Sequence, residues 1–183
     1  MLYIMRHGRT DWNEMHRIQG RTDIPLNDDG RKMAEKAREK YKDVHFDICF
    51  CSPLVRARET ADIFLKNRDI PIIYDERLLE MCFGIYEGTA NCFEIPECPL
   101  SIMFNEPENY TTPAEGAESF EELFARTGDF LRETVRPLLD EGKDVLIIGH
   151  GAMNSSIVCQ VMELPIAQFW SQGIENCKLM KLV

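Results

Sequence analysis

Leu2-Tyr3-Ile4-Met5-Arg6-His7-Gly8 is the stretch that decides the fold. Its first four residues form a short apolar run typical of a buried strand, and the run stops abruptly at an arginine, a histidine and a glycine. Burying such polar side chains is costly unless a partner compensates them, and a phosphate group is a suitable partner. The stretch therefore predicts a strand that delivers Arg6 and His7 to a ligand at the edge of a sheet.

Length and composition predict a single soluble domain over residues 1–183. Hydrophobic residues make up 44% of the chain and charged residues 28%, which is ordinary for a globular protein. No apolar run approaches the roughly 20 residues that cross a bilayer. Arg6 interrupts the first apolar run before it can form the core of a secretory signal. We therefore expect a cytoplasmic protein without a membrane partner.

The cysteines give no sign of a metal site or of a disulfide framework. There are seven of them, an odd number, and none are spaced as the paired CxxC units of a zinc site. Buried thiols in a reducing compartment are the simplest explanation, so we expect free cysteines and no bound metal.

The formal net charge of -10 is unevenly distributed. Residues 1–60 contain twelve Lys and Arg against ten Asp and Glu, whereas the remaining residues contain nine against twenty-one. Strong overall acidity argues against nucleic acid as a partner, because nucleic-acid binding relies on neutralising many phosphates. A local basic pocket in an acidic protein suits a small anionic group better.

The order of apolar and amphipathic segments predicts an α/β fold. Five apolar runs are strand candidates: Leu2–Met5, Asp47–Cys51, Ile70–Tyr74, Asp144–Ile148 and Lys178–Val183. Four stretches between them have helical periodicity: 28–41 after an Asn27 N-cap, 53–67 after a Ser52 N-cap, 119–140, and 152–162. This alternation is typical of a mostly parallel sheet covered by helices on both faces, a three-layer α/β/α sandwich.

Residues 84–116 interrupt this alternation. The segment contains four prolines and little periodicity. A long irregular segment inside a compact domain is commonly a functional lid. We therefore expect a lid insertion here.

Three polar clusters follow predicted strands and should meet at one edge of the sheet. They are Arg6-His7-Gly8, the segment 52–57, and Gly149-His150-Gly151. Ligands of parallel α/β sheets bind at the carboxyl ends of the strands, where helix N-termini point donors at anions. Arg56, one turn into its helix, should reach back over this edge, and a glycine such as Gly151 lets the backbone approach a ligand closely.

Two imidazoles and two guanidinium groups at one point would form a site for a dianionic phosphoryl group. One histidine can act as the nucleophile, and the other can bind the phosphoryl oxygens when protonated. Charge stabilisation by arginines makes the chemistry feasible without a metal or another cofactor. Glu80, near the end of the third strand, is the candidate that gives a proton to the leaving alcohol.

Read together, the motifs resemble the histidine phosphatase superfamily, the phosphoglycerate-mutase-like proteins. The segments that carry this resemblance are 6–10, Trp12-Asn13, 19–26, 52–61, Glu80 with Gly84 and 87–88, and 149–151.

The resemblance implies a role for each matching residue. His7 would be the phosphorylated nucleophile, with Arg6, Arg56 and His150 clamping the phosphoryl group and Glu80 supplying the proton. Asn13 and Gly151 would add phosphate contacts, and Gln19, Gly20 and Arg21 would contact the substrate.

Three functions remain open for a chain of this kind. The first is a phosphatase that hydrolyses a small phosphomonoester through a phosphohistidine. The second is a phosphoglycerate mutase, and the third is a non-catalytic interaction protein with the same fold. The interval from Leu78 to Ala125 has ten glutamates and no Lys or Arg. A mutase must also bind a carboxylate and needs additional cations over the site, so we favour the phosphatase.

The acidic lid also predicts the character of the substrate. Like charge near the mouth of the site disfavours anionic alcohols, so we expect a neutral, cationic or partly apolar one. The apolar lid residues that are candidates to touch it are Phe93, Ile102, Met103, Phe104 and Tyr110. The chain length and residues 19–26 resemble the α-ribazole phosphatase and broad-specificity branch. A homodimer is left open.

Overall fold

The five apolar runs become the strands of one sheet. They are β1 (Leu2–Arg6), β2 (Ile48–Cys51), β3 (Ile72–Tyr74), β4 (Val145–Gly149) and β5 (Leu179–Lys181). The strand order is β3-β2-β4-β1-β5, with β5 antiparallel to β1 and the other neighbours parallel. The prediction of a mostly parallel sheet is confirmed. The computed structural model describes residues 1–95, 97–111 and 113–183, without the side chain of Phe93, so the expected contact of Phe93 lies outside the described residues.

Helices fill the connections between the strands. They are α1 (Asp11–Glu14), α2 (Asp28–Lys40), α3 (Val55–Phe64), α4 (Pro99–Asn105), α5 (Phe120–Phe130), α6 (Arg136–Asp140) and α7 (Gly151–Val161). Short 3-10 turns lie at Glu76–Leu78, Gly84–Tyr86, Cys92–Glu94, Pro107–Asn109 and Ile166–Gln168. In the part of the chain that the structure describes, no helix has the length and apolar character of a bilayer-spanning segment.

Each central strand is buried on both faces, which produces the three layers. In β1, Leu2 and Ile4 pack into one apolar cluster, and Tyr3 and Met5 into another. Because successive side chains of a strand point to opposite faces, the two clusters lie on opposite sides of the sheet. Helices α5 and α7 cover the first face, and α2 and α3 cover the second. The predicted α/β/α sandwich is confirmed.

The start of α3 differs from the prediction. Ser52 is not its N-cap, because the helix begins at Val55 and its cap residue is Leu54. The Asp23 carboxylate accepts a hydrogen bond from the Val55 N–H at 2.7 Å. The hydroxyl of Ser52 instead lies 2.7 Å from Nε2 of His150. A distant loop therefore caps this helix, which leaves the serine available to the neighbouring strand end.

The helix predicted over residues 119–140 forms with a wide turn inside it. Ser119 caps α5, and a π-helical turn over Leu131–Val135 joins α5 to α6. Pro137 follows this turn and has no N–H to donate, which explains why the regular hydrogen-bond ladder is broken just before it. Gly142, just past the end of α6, has a φ of +80°.

The lid, residues 84–116, contains α4 and three 3-10 turns. Cys92 and Cys98 form a disulfide at its centre, and both side chains are buried. The prediction that all cysteines are free is therefore wrong for this pair. Their Cα atoms are 6.0 Å apart, a usual spacing for a disulfide, because the chain turns between the Cys92–Glu94 segment and α4. The remaining cysteines are free thiols: Cys49, Cys51, Cys82, Cys159 and Cys177.

Candidate active site

The loop after β1 is held against the neighbouring strand and the first turn of α2. The N–H of His7 donates to the carbonyl oxygen of Gly149 at 2.9 Å, which ties the ends of β1 and β4 together. A Cβ on Gly8 would lie 2.6 Å from the carbonyl oxygen of Gly30, and a Cβ on Gly30 would lie 2.0 Å from that of Arg9. Only glycines allow the backbones to approach this closely. The histidine is therefore fixed by packed backbone.

His7 is buried in the form that a nucleophile requires. Its Nδ1 lies 2.6 Å from the carbonyl oxygen of Gly8, which can only accept, so Nδ1 carries the ring proton. Nε2 then keeps its lone pair. Burial, and next the positive charges of Arg56 and Arg6, hold the pKa of His7 well below its usual value of 6.5. The ring is consequently neutral at physiological pH.

Arg56 is the most deeply buried cation of the site. Its two terminal nitrogens donate to the carbonyl oxygens of Thr22 and Gly20, at 2.8 and 2.6 Å. Burial lowers its pKa to about 10, so the guanidinium remains charged at neutral pH. The segment between α1 and α2 thus orients Arg56, although Thr22 and Gly20 lie 34 and 36 positions before it in the sequence.

His150 lies beside His7, with ring centroids 5.2 Å apart. Its Nε2 is 2.7 Å from the Ser52 hydroxyl. When that hydroxyl donates to Nε2, the neutral ring carries its proton on Nδ1. Burial, followed by the charge of Arg56, lowers the pKa of His150 well below 6.5. The ring of His150 is therefore neutral, and its Nδ1–H is the group that can donate a hydrogen bond to an anion.

Three buried donors of the site have no hydrogen-bond partner within the described ranges. They are Nε of Arg6, Nε of Arg56 and Nδ1 of His150. An unpaired buried donor costs about 1–3 kcal/mol, so folded proteins rarely contain several close together. Their presence in neighbouring side chains indicates a site built for an acceptor-rich group. A dianionic phosphoryl group has the oxygens that these donors need.

Glu80 is held at the N-terminus of α7. Its Oε1 accepts hydrogen bonds from the N–H groups of Met81 and Met153, each at 2.9 Å, and Oε2 accepts from Ala152 at 3.2 Å. The side chain is 8% exposed. The carboxyl group therefore has a fixed position next to Gly151 and Arg6.

These groups open into a pocket of about 300 Å³, which we call the catalytic pocket. The pocket brings together most of the residues predicted from the sequence, and His150 lies beside His7 without being part of the lining. The predicted residues in its lining are Arg6, His7, Asn13, Gln19, Gly20, Arg56, Glu80, Phe104 and Gly151. Arg21 lies beside the pocket, where its guanidinium pairs with Glu118 at 3.5 Å.

Sequence reasoning missed part of the pocket wall. Trp170 stacks on Phe104, with ring centroids 5.3 Å apart and planes 25° apart, and Phe83 lies next to them at 6.5 Å from Phe104. Arg17 is a further cation in the lining, and its guanidinium donates to the carbonyl oxygen of Gly88 at 3.0 Å. The only signal in the sequence was that Trp170 is a large aromatic residue in the irregular segment after α7.

Most of the glutamates in and around the lid do not line the catalytic pocket. Of the ten glutamates between Leu78 and Ala125, Glu80 is the only one in the lining of the catalytic pocket within the described ranges. Glu118 is paired with Arg126 at 2.6 Å, and Glu87 accepts hydrogen bonds from the backbone N–H groups of Arg21 and Thr22. The count of glutamates in the sequence therefore does not describe the charge that a substrate would meet.

One group of side chains in the described ranges could hold a metal ion, and it lies at the opposite edge of the sheet. His45, Asp47 and Asp144 have ligand atoms within 4.8 Å of one another. They precede β2 and β4, whereas His7 and His150 follow β1 and β4. Asp144 is already paired with the N-terminal ammonium at 2.9 Å. This cluster takes no part in the site around His7.

Comparison with known proteins agrees with this arrangement. The chain is 33% identical over 153 residues to a 2,3-bisphosphoglycerate-dependent phosphoglycerate mutase of Cytophaga hutchinsonii, covering 82% of this chain and 72% of that protein. The structure matches Bacillus stearothermophilus YhfR at a TM-score of 0.84 and 30% identity, covering 97% of this chain and 88% of the other. It also matches an alpha-ribazole phosphatase of Shigella flexneri at a TM-score of 0.77 and 25% identity, covering 97% and 87%.

The predicted family is confirmed over nearly the whole sequence. The model of the histidine phosphatase superfamily, branch 1, matches residues 2–183. With its sheet, its buried histidine pair and its arginines in place, this chain belongs to the histidine phosphatase superfamily.

Proposed function

We propose that this protein hydrolyses a small phosphomonoester by passing the phosphoryl group first to His7 and then to water. That it is an enzyme of phosphatase type follows from its family. One observation carries the phosphohistidine route. His7 is a neutral imidazole with Nδ1 tied to Gly8, and it lies beside buried donors that have no partner within the described ranges.

The first half of the reaction forms the phosphoenzyme. The Nε2 lone pair of His7 attacks phosphorus and makes the N–P bond, while the P–O bond to the alcohol breaks and its electron pair leaves on that oxygen. Protonated Glu80 gives the oxygen its proton. Arg6, Arg56 and His150 bind the three remaining phosphoryl oxygens and stabilise their charge.

The second half returns the enzyme to its starting state. Ionised Glu80 takes a proton from a water molecule, the water oxygen bonds to phosphorus, and the N–P bond breaks with its electron pair returning to Nε2. Inorganic phosphate then leaves. In this scheme the two arginines provide the positive charge, so we propose that no metal ion is required. Activity should survive excess EDTA, and a strict need for a divalent metal would contradict the scheme.

The aromatic wall supports a substrate with a planar or apolar alcohol portion. Phe83, Phe104 and Trp170 line one side of the catalytic pocket, and stacking on such surfaces favours flat groups. α-Ribazole phosphate remains one candidate. A panel of phosphomonoesters should rank aryl and aromatic nucleoside-like esters above short alkyl ones. Trp170→Ala should remove that ranking while the smallest esters keep most of their turnover.

The decisive test of the nucleophile is His7→Ala. We expect turnover of phenyl phosphate to fall to background, and we expect acid-labile phosphate to be trapped on the wild-type protein but not on the variant. His16→Ala is the matched control, because His16 is exposed and outside the pocket. Unchanged turnover in His7→Ala would refute the assignment.

A mutase is the alternative function, and the relative from Cytophaga hutchinsonii makes it worth a direct test. Arg17 supports it to a limited extent, as a cation in the pocket lining beyond the two that clamp phosphate. Incubation with 3-phosphoglycerate and catalytic 2,3-bisphosphoglycerate separates the two functions. A phosphatase releases inorganic phosphate, whereas a mutase produces 2-phosphoglycerate without net phosphate release.

A further inference from the structure

A second cleft of about 550 Å³ lies next to the catalytic pocket, and the proposed reaction does not use it. We call it the Arg9 cleft. Its walls include Arg6, Arg9, Met33, Ser155, Trp170 and Asn176. They come from the loop after β1, from α2, from α7 and from the irregular segment that precedes β5. No sequence motif brought these residues together.

The cleft is positively charged in a protein whose net charge is -10. The side chain of Arg9 is exposed and makes no hydrogen bond or ion pair with any residue that the structure describes. Glu175 is the one carboxylate in the lining of the cleft within these ranges, and its Oε1 lies 2.6 Å from Nζ of Lys178. Because Lys178 neutralises that carboxylate, the charge of Arg9 is left for a ligand.

Buried donors accompany this cation. Ser155 is 2% exposed, and its side chain lines the cleft. Nε of Arg6, which is buried and unpaired in the same ranges, belongs to a side chain that lines both cavities. An unpaired buried N–H and a hydroxyl beside the guanidinium group of Arg9 form an arrangement suited to binding an anion.

The cleft and the catalytic pocket share three residues: Arg6, Gly151 and Trp170. An anion in the cleft would therefore lie next to the arginine that binds the transferred phosphoryl group. Such a ligand can be a second acidic group on the substrate, or a separate small anion that changes the behaviour of Arg6. Both sources present the same chemistry to Arg9 and Ser155.

We propose that the Arg9 cleft is a binding site for an anionic group, a carboxylate or a phosphate, in addition to the phosphoryl group that reacts. The inference rests on the proposed function, because turnover is its readout.

The test compares O-phospho-L-serine with O-phosphoethanolamine, two esters that differ by one carboxylate. We expect Arg9→Met to lower kcat/KM for phosphoserine at least tenfold more than for phosphoethanolamine, and Arg9→Lys to restore most of the difference. Ser155→Ala should change the ratio in the same direction by about threefold. Arg132→Met is the matched control, since Arg132 is an exposed arginine outside both cavities, and it should leave the ratio unchanged.

A second arm detects a separate anion. With phosphoethanolamine as substrate, glycolate should alter the wild-type rate more than the Arg9→Met rate if the cleft binds free carboxylates. An effect of Arg9 in either arm supports the site, and the arm that responds identifies the source of the anion. If Arg9→Met changes neither the ratio nor the glycolate effect, the inference is overturned. Wild-type protein that turns over no phosphomonoester, phenyl phosphate included, would instead overturn the proposed function.

Discussion

The hydroxyl of Ser52 lies 2.7 Å from Nε2 of His150, although the two residues are 98 positions apart in the chain. Ser52 follows β2 and His150 follows β4, and these strands are hydrogen-bonded neighbours. The N–H of Ser52 donates to the carbonyl oxygen of Ile148 at 3.0 Å, so the serine is fixed by the sheet itself. The sheet thereby determines that Nε2 of the imidazole is held by Ser52, while Nδ1 has no partner among the described residues.

Ser52→Ala should weaken catalysis without removing any group that touches substrate. We expect kcat to fall about 10-fold or more, by analogy with the partners that orient metal-bound imidazoles, which contribute about 10–100-fold. The free energy of unfolding should fall by about 1–3 kcal/mol, the usual cost of leaving a buried polar group unpaired. Phosphate-release kinetics and urea denaturation measure the two effects. Ser171→Ala, at an exposed serine, is the control and should change neither.

Glu80→Gln should affect substrates according to their leaving groups. General acid catalysis contributes about 10²–10⁴-fold, and it matters most when the departing oxygen is strongly basic. For an alkyl phosphate we expect kcat to fall at least about a hundredfold. For p-nitrophenyl phosphate we expect kcat to fall less than about tenfold, because its leaving group needs little protonation. Glu121→Gln, on the exposed side of α5, should behave as wild type. Equal losses for both esters would mean that Glu80 does not protonate the alcohol.

Gly30→Ala separates local helix preference from tertiary packing. Gly30 is in the first turn of α2, where alanine alone would favour the helix by about 1 kcal/mol. The added Cβ would lie 2.0 Å from the carbonyl oxygen of Arg9, and a backbone atom cannot easily move away. We expect a net destabilisation of about 1–3 kcal/mol, typical of overpacking, and a loss of activity because the loop that holds His7 must shift.

Gly142→Ala is the comparison for that variant. Gly142 has a φ of +80°, and a Cβ there meets nothing within 4 Å. It should lose about 1 kcal/mol of stability from backbone strain and keep full activity. If Gly30→Ala stabilises the protein, the close contact with Arg9 is not present in solution.

Protein stability should fall as the pH drops below about 6.5. The pKa values of His7 and His150 lie well below 6.5 in the folded chain, so the unfolded chain takes up their protons first. The unfolded state then binds more protons, and the free energy of unfolding decreases with falling pH by about 1.4 kcal/mol per pH unit for each histidine. The loss continues until the pH reaches the lowered pKa values of the folded state.

Urea denaturation between pH 7.5 and 4.5 measures this slope. His150→Gln should remove about half of it. Asp47 and Asp75 have lowered pKa values, so the stability that their carboxylates contribute is present above 3.8 and disappears only below it. A slope that persists in a variant lacking both buried histidines would contradict this explanation.

Much of the architecture can be predicted from residue patterns within this one sequence. The apolar runs of β1, β2 and β4 do not alternate with polar residues, which is typical of a strand that is covered on both faces. Asn27 caps α2 because its carboxamide oxygen accepts from the N–H of Gly30, a bond between residues three apart. Arg6, His7, Arg56 and His150 could be placed together because the carboxyl ends of parallel strands meet at one edge.

Other features depend on contacts between distant segments, and no local pattern records them. Asp23 caps α3, and Trp170 completes the wall of the catalytic pocket. From the sequence, we expected the glutamates of the lid to place negative charge over the active site. In the structure, Glu118 is bound to Arg126, and only Glu80 lines the catalytic pocket within the described ranges.

The sequence by itself determined which residue types follow the strands, and these suffice to predict a phosphoryl site. Only the tertiary structure decided the state of each group. The carbonyl oxygen of Gly8 selects the tautomer of His7, and burial keeps both histidines neutral. The physical reason is that protonation, charge pairing and access depend on distances of a few ångströms between residues far apart in the chain. The same distances place Arg9 beside the site, with its charge still unpaired among the described residues.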